Sequence, residues 1–310
     1  MQRNPIAVWT LVVGATFFWG SNFNAAHSIA GQLPPLTAAA ERFAMAVAIL
    51  LMLRGWQRRA ESTLTVSSML HLVLLGLIGV FSFNYAFFTA LHTTSALNAA
   101  LIMSLSPLVT ALLSSWLLGT SISLRQLVGI AIAFAGVTLV ITGGHFASLH
   151  VAVGDLWMLG ACFTWSLYSV LLKRNTAHVP ASQQARWTIG SGAIALVVMA
   201  LWHDHSIALI QQQSQFTFSI LVYMALGGTV LAYIFWLQGV HALGPQRAAI
   251  AFNLVPVFTL LINLVLGTWP RPEQFIGLVL VLGGVLVASG WKPALMVGRK
   301  RILAHGCSEA

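Results

Sequence analysis

"ALIMSLSPLVTALL", residues 100–113, and "AIAFNLVPVFTLLI", residues 249–262, lie 149 positions apart and match at Ala100/Ala249, Leu105/Leu254, Pro107/Pro256, Thr110/Thr259 and Leu112/Leu261. Each run is apolar enough for lipid, yet each carries proline near its middle. Proline lacks a backbone N–H and clashes with the carbonyl four residues earlier, here at Met103 and Phe252. A helix-breaking residue placed twice at one register marks an internal duplication, and the interrupted helices gain acceptors that polar neighbours or a solute can use.

Composition supports a lipid setting. The chain has 310 residues, 58% hydrophobic and 7% charged, with mean hydropathy +0.86, whereas a soluble domain carries about 25% charged residues. Ten apolar stretches read as helices able to cross a ~30 Å hydrocarbon core. They run approximately 7–30, 35–53, 69–91, 95–118, 124–143, 154–173, 181–202, 217–241, 245–267 and 272–291. Short connections with Gly and Pro separate them, including Gly143-Gly144 and Gly244-Pro245.

The repeat extends beyond the prolines. "GATFFWGS" (14–21) pairs with "GACFTWSL" (160–167), Arg42 with Arg186, and "GVTLV" (136–140) with "GVLVA" (284–288). The unit is therefore five helices long. Because five is odd, the second copy enters the membrane from the opposite side, giving an inverted repeat, an arrangement of many secondary carriers. The expected fold is an all-α polytopic membrane protein, ten transmembrane helices as two inverted five-helix repeats: residues 1–148, 149–293, and a basic tail at 294–310. Trp19, Trp165, Pro107 and Pro256 each fall some 11 or 12 residues into their spans, about 17 Å deep and near the midplane.

Basic residues set the orientation. With the N-terminus inside, inner segments hold twelve Lys and Arg, from Arg3 to Arg301, while the outer loops hold Arg271 alone. Both termini are thus expected in the cytoplasm. The formal charge of +9 then reflects topology and contact with anionic lipid heads, not nucleic acid, since no basic segment has interleaved aromatics. Arg3, the following apolar run and "SIAG" (28–31) imitate a signal peptide. The polar centre "FFWGSNFN" and membership of the repeat oppose cleavage.

"FWGSNFNAAHSIAGQLPPLTAAAERFAMA" (18–46), "NYAFFTALHTTSALNAALIMSLSPLVTALLSSWLLG" (84–119), "GDLWMLGACFTWSLYSVLLKR" (154–174) and "AYIFWLQGVHALGPQRAAIAFNLVPVFTLLINLVLG" (232–267) resemble EamA-type permeases of the drug/metabolite transporter superfamily. The resemblance covers nearly the whole chain. It implies ten helices in two inverted halves around a central cavity, and export of amino acids or related metabolites across a bacterial inner membrane. One departure stands out: such permeases usually place an acid after the Leu-Gly that ends the fourth and ninth helices, where Thr120 and Thr268 stand here.

Polar side chains on a span are costly in lipid and turn toward the bundle interior. The candidates for cargo contact are Trp19 and Asn22, with Ser21, on the first span; Asn84 and Tyr85 on the third; Asn98 and Ser104 on the fourth; Trp165 and Tyr168 on the sixth; Tyr233 and Trp236 on the eighth; and Asn253 on the ninth. Trp19/Asn22, Trp165/Tyr168 and Tyr233/Trp236 are each three apart and share a helix face. Each ring can equally pack against neighbours and bond a carbonyl. Glu41, Arg42 and Arg186 are the charges inside spans and the candidates for gating or coupling, with snorkelling to the nearer interface as the structural alternative. Among histidines, His27, His92 and His241 are lesser proton carriers.

No cofactor is expected. His145, His150, His203 and His205 lack the fixed geometry of a metal site, and no nucleophile elbow, zinc-protease helix or phosphate loop is present. Cys162 and Cys307 lie in the membrane and the tail and cannot pair. The partners are a small-molecule substrate and the bilayer, and a monomer is compatible with the chain. Three readings stay open: an exporter of zwitterionic or aromatic metabolites, an antiporter for phosphorylated sugars or nucleotide sugars, and a non-transporting membrane enzyme or scaffold.

Overall fold

A computed structural model describes residues 5–56, 64–144, 152–176, 178–243, 251 and 253–289; the tail from 294 lies outside the described residues. The described residues form helices and turns, with one isolated bridge between Ala30 and Leu33. Among the described residues ten apolar helical stretches follow in order. They are α1 (Pro5–Ser28), α2 (Pro35–Trp56), α3 (Val66–Ala90), α4 (Ala96–Leu118), α5 (Leu124–Thr142), α6 (Val153–Thr176), α7 (Ala181–His203), α8 (Gln215–Leu243), α9 (Val255–Val265) and α10 (Pro272–Ser289). A short helix, Ser206–Gln212, joins α7 to α8. Seven are long and apolar enough to cross a membrane; α5, α9 and α10 contribute shorter apolar segments. The chain is an all-helical, polytopic membrane protein.

The ends of the helices obey their sequence. Ser95, Ser123 and Ser214 cap α4, α5 and α8 by accepting from the backbone N–H three residues on, and Ser123 forms a full capping box with Gln126. Gly119 and Gly143 end α4 and α5 in the left-handed conformation that glycine adopts without strain.

Pro107 and Pro256 do more than bend a continuous helix. α4 stops at Met103, turns through Ser104 and Leu105, and restarts at Ser106 with Pro107 in its first turn. Asn253 and Leu254 turn in the same way before α9, which starts at Val255 with Pro256 in its first turn. At a helix start the missing N–H costs nothing, because that donor has no intrahelical partner anyway. The Ser104 hydroxyl donates to the Leu101 carbonyl at 2.6 Å and the Ser166 hydroxyl to that of Ser106 at 3.2 Å, satisfying acceptors at the break.

A second irregularity also comes in two copies. α3 widens to a π-helix over Leu77–Ser82 and α8 over Met224–Leu231. Such segments leave carbonyls unpaired in the ladder, and functional sites use them often.

Packing partners exchange when five is added to a helix number. α1 packs on α8 and α9, and α6 packs on α3 and α4; α2 lies against the π-segment of α8, and α7 against that of α3; α2 meets α7, and α5 meets α10. Small residues set these distances, as in lipid-embedded bundles generally. A Cβ built on Gly284 would lie 2.5 Å from the Gly129 carbonyl oxygen, and Gly136 and Gly277 face each other in the same way.

Buried polar ties join the halves at the end of the bundle that holds the α1–α2 and α7–α8 connections. Asp204 accepts from the Thr37 backbone N–H at 3.1 Å and hydroxyl at 2.9 Å, placing a carboxylate at the N-terminus of α2. Gln274 donates to the Asn98 amide oxygen at 2.6 Å, and the Thr94 hydroxyl donates to the fully buried Asp155. Thr94→Val leaves that carboxylate oxygen without its donor, an omission costing about 1–3 kcal/mol. The expected result is a lower thermal midpoint in detergent with an unchanged helical spectrum; an unaltered midpoint would remove Asp155 from the list of structural ties.

Candidate functional site

Where the two π-segments, the break in α4 and the start of α9 converge, the bundle forms a partly open cavity of about 170 Å³. α1 contributes Trp19, Asn22 and Phe23; α2, Arg42 and Phe43; α3, Gly79, Val80, Phe83, Asn84 and Phe87. Trp165 and Tyr168 of α6, Thr188 of α7, and Gly228, Thr229 and Tyr233 of α8 form the other side, with Met103 at the break in α4 and Val255 at the start of α9.

The π-segments shape this chamber by bringing bare backbone close to side chains. A Cβ on Gly79 would fall into the Tyr168 ring, and one on Gly228 would fall into the Asn22 amide. The Gly228 carbonyl accepts the indole N–H of Trp19 at 3.2 Å, and that of Val80 accepts the Asn84 amide at 2.8 Å. Trp19 is backed by Trp236, with ring centroids 5.2 Å apart; Trp165 is held between Phe83 at 5.4 Å and Tyr168 at 5.6 Å. The tryptophans occupy matching positions of the repeat. Asn22 and Asn84 stand where the second half carries Tyr168 and Tyr233, so one wall is amide and the other phenolic.

Among the described residues the cavity lining has a single charged side chain, Arg42, only 6% exposed. Its Nε–H donates to the Thr229 hydroxyl at 3.1 Å, and its guanidinium stands 5.4 Å from the Phe43 ring centre. Among the described residues no carboxylate lies within ion-pair distance of it. Two buried lining acceptors, Asn22 Oδ1 and Asn84 Oδ1, have no hydrogen-bond partner.

The structure therefore gathers seven of the sequence candidates around one space: Trp19, Asn22, Arg42, Asn84, Trp165, Tyr168 and Tyr233. The others lie outside its lining. Tyr85, one residue on from Asn84, turns about 100° away and packs edge-on to Trp157 at 5.7 Å. Asn98 is tied to Gln274, Ser104 to its own helix, and Trp236 backs Trp19. Asn253 is buried with an unpartnered oxygen, while its neighbour Val255 reaches the lining. Pro107 and Pro256 position the chamber without facing it. Glu41 accepts from Gln213 at 2.8 Å, and Arg186 is half-buried beside the lining residue Ala185. Sequence reasoning missed Phe83, Phe87, Thr188 and Thr229; the four-residue spacing of the two phenylalanines around Asn84 was the available signal.

The EamA-like transporter family matches residues 7–142 and again 152–290. An uncharacterized transporter of Bacillus subtilis, YyaM, is 35% identical over 286 residues, covering 91% of this chain and 93% of its own. A probable amino-acid metabolite efflux pump of Escherichia coli is 28% identical over 309 residues, covering 96% and 100%. A probable terminal-alkyne amino-acid exporter of Streptantibioticus cattleyicolor is 25% identical, covering 91% and 92%. A solved crystal structure shares the fold at TM-score 0.65 and 23% identity, over 92% of this chain and 98% of that one. With the family pattern running twice through an all-helical bundle that forms an aromatic chamber, the chain belongs to the EamA-like transporter family.

Proposed function

We propose that this integral membrane protein is a secondary carrier that exports small metabolites, amino acids or related zwitterionic and aromatic compounds, across a bacterial inner membrane. Ten spans form two inverted five-helix halves, residues 1–148 and 149–293, with both termini in the cytoplasm, and the halves rock about the central chamber to open it to each side in turn. The observation that carries this reading is the chamber itself, walled by corresponding positions of both halves: Trp19 with Trp165, Asn22 with Tyr168, Asn84 with Tyr233. The exchange of packing partners between helices five apart supports the twofold relation, and the names of the Escherichia coli and Streptantibioticus relatives support the substrate class.

Alternating access predicts that single cysteines at Asn22 and Tyr233, one from each half of the lining, are labelled by impermeant maleimide from either face of the membrane, in proportions that shift when substrate is added. Labelling from one face alone, under every condition, overturns the carrier reading. The antiporter alternative draws on Arg42. Against it, a chamber of about 170 Å³ with one cation falls below the roughly 300–1,000 Å³ of pockets for drug-sized ligands, and a nucleotide sugar is at least that large.

A further inference from the structure

We infer that Arg42 is the carboxylate anchor of the chamber: recognition depends on a solute carboxylate seated on its guanidinium, while the amide oxygens of Asn22 and Asn84 receive the solute's ammonium. This inference rests on the carrier reading and names the specificity-determining groups within it.

The geometry supplies three complementary vacancies in hydrogen bonding. A guanidinium offers five N–H donors; Arg42 spends the one on Nε at Thr229 and has no carboxylate partner among the described residues. A buried charge without a counter-ion is costly, and an entering anion offsets that cost. The two terminal nitrogens suit a planar carboxylate, the partner arginine binds through paired bonds. Asn84 has its nitrogen committed to the Val80 carbonyl, which fixes its oxygen as an acceptor awaiting a donor. The Asn22 oxygen is likewise unpartnered, and its amide lies against the Gly228 backbone, next to the Thr229 that holds Arg42.

The rest of the described lining is mostly apolar, dominated by the rings of Trp19, Trp165, Phe83 and Phe87, with hydroxyl groups at Tyr168, Thr188 and Tyr233. The chamber's volume is close to the roughly 150 Å³ cavity that accommodates benzene, so the solute is small and its apolar part no more than one ring. Among the described residues no lining residue is acidic. An amine without a carboxylate therefore finds neutral acceptors and a repelling cation, and a phosphorylated sugar finds one cation for two charges. The class that satisfies all three vacancies is an α-amino acid with an apolar side chain of one ring or less.

The test is calorimetric binding to detergent-purified protein, which needs no transport. L-leucine and L-phenylalanine are compared with their amides, with 4-methylpentanoate (leucine lacking its ammonium) and with glucose 6-phosphate. Wild type should bind the acids about tenfold or more tighter than the amides, the scale of charge-assisted bonds. Arg42→Gln should bring acid and amide within about twofold, and Arg42→Lys should restore part of the gap. Asn22→Ala with Asn84→Ala should bring leucine down toward 4-methylpentanoate. The anchor is overturned if wild type binds leucinamide as well as leucine, if Arg42→Gln keeps the preference, if glucose 6-phosphate binds best, or if no probe binds. Should Arg42→Gln fail to fold, the wild-type comparison and Arg42→Lys still decide. Binding preference without flux in proteoliposomes sinks the carrier reading and leaves the anchor standing; flux without the preference does the reverse.

Discussion

Gly129→Leu or Gly284→Leu is expected to abolish the folded protein, leaving aggregate instead of a monodisperse peak on size exclusion in detergent. α5 and α10 approach backbone to backbone here. A Cβ on Gly129 would meet the Gly284 carbonyl oxygen, and one on Gly284 would lie 2.5 Å from the Gly129 carbonyl oxygen and 2.7 Å from the Ala133 nitrogen. Adding methylenes to a packed core already costs about 1–3 kcal/mol; here the obstacle is main chain, which cannot rotate aside, so the helices must part. Gly160→Ala and Gly283→Ala are the controls. A Cβ at either position meets nothing within 4 Å, and alanine favours helix by up to about 1 kcal/mol. If the leucine variants run as sharp peaks with unchanged thermal midpoints, α5 and α10 do not meet as described.

Trp19→Ala and Trp165→Ala should each raise the apparent KM for the transported solute about thirtyfold while leaving the protein folded. Each ring walls the chamber from a matching place in its half. Removing the apolar area it shares with a bound solute forfeits about 2 kcal/mol, which converts to that factor. Trp19→Phe keeps a ring but surrenders the bond to the Gly228 carbonyl, so its KM should fall between wild type and alanine. Trp116→Ala and Trp202→Ala, at 79% and 74% exposure, should leave KM unchanged. Equal KM values for all these variants in reconstituted vesicles would mean the solute passes elsewhere.

Much of the fold was legible because its signals are long-ranged and simple. Apolar runs about twenty residues long gave helix boundaries within a few positions of those observed, as for α5 at 124–143 against Leu124–Thr142, while the start of the ninth span, expected at 245, lies outside the described residues. The duplicated proline located the break at Ser104–Leu105 in the first half and the turn at Asn253–Leu254 in the second. The π-segments were not legible: Leu77–Ser82 is an unremarkable apolar hexapeptide, and hydropathy does not distinguish i+5 bonding from i+4. The site shows the same division. Deep tryptophans, asparagines and an arginine pointed to a chamber because lipid gives polar groups nowhere else to go. Tyr85 and Asn98 did not join it for local reasons, Tyr85 because neighbours on a helix diverge and Asn98 because it lies three residues from the cap of α4, within reach of Gln274.

A widened turn also takes up an extra residue without rotating what lies downstream of it. Asn84 follows the Leu77–Ser82 segment closely, and Tyr233 follows Met224–Leu231. Excising one residue from either segment would let the helix close into ordinary α geometry while Asn84 or Tyr233 kept nearly its present phase, because the wide turn is what absorbs the extra residue; what the chamber would lose is the bare backbone that Gly79 and Gly228 bring against Tyr168 and Asn22. Among relatives of this fold, a single-residue gap at either place would thus signal a different cargo more reliably than many substitutions in the walls.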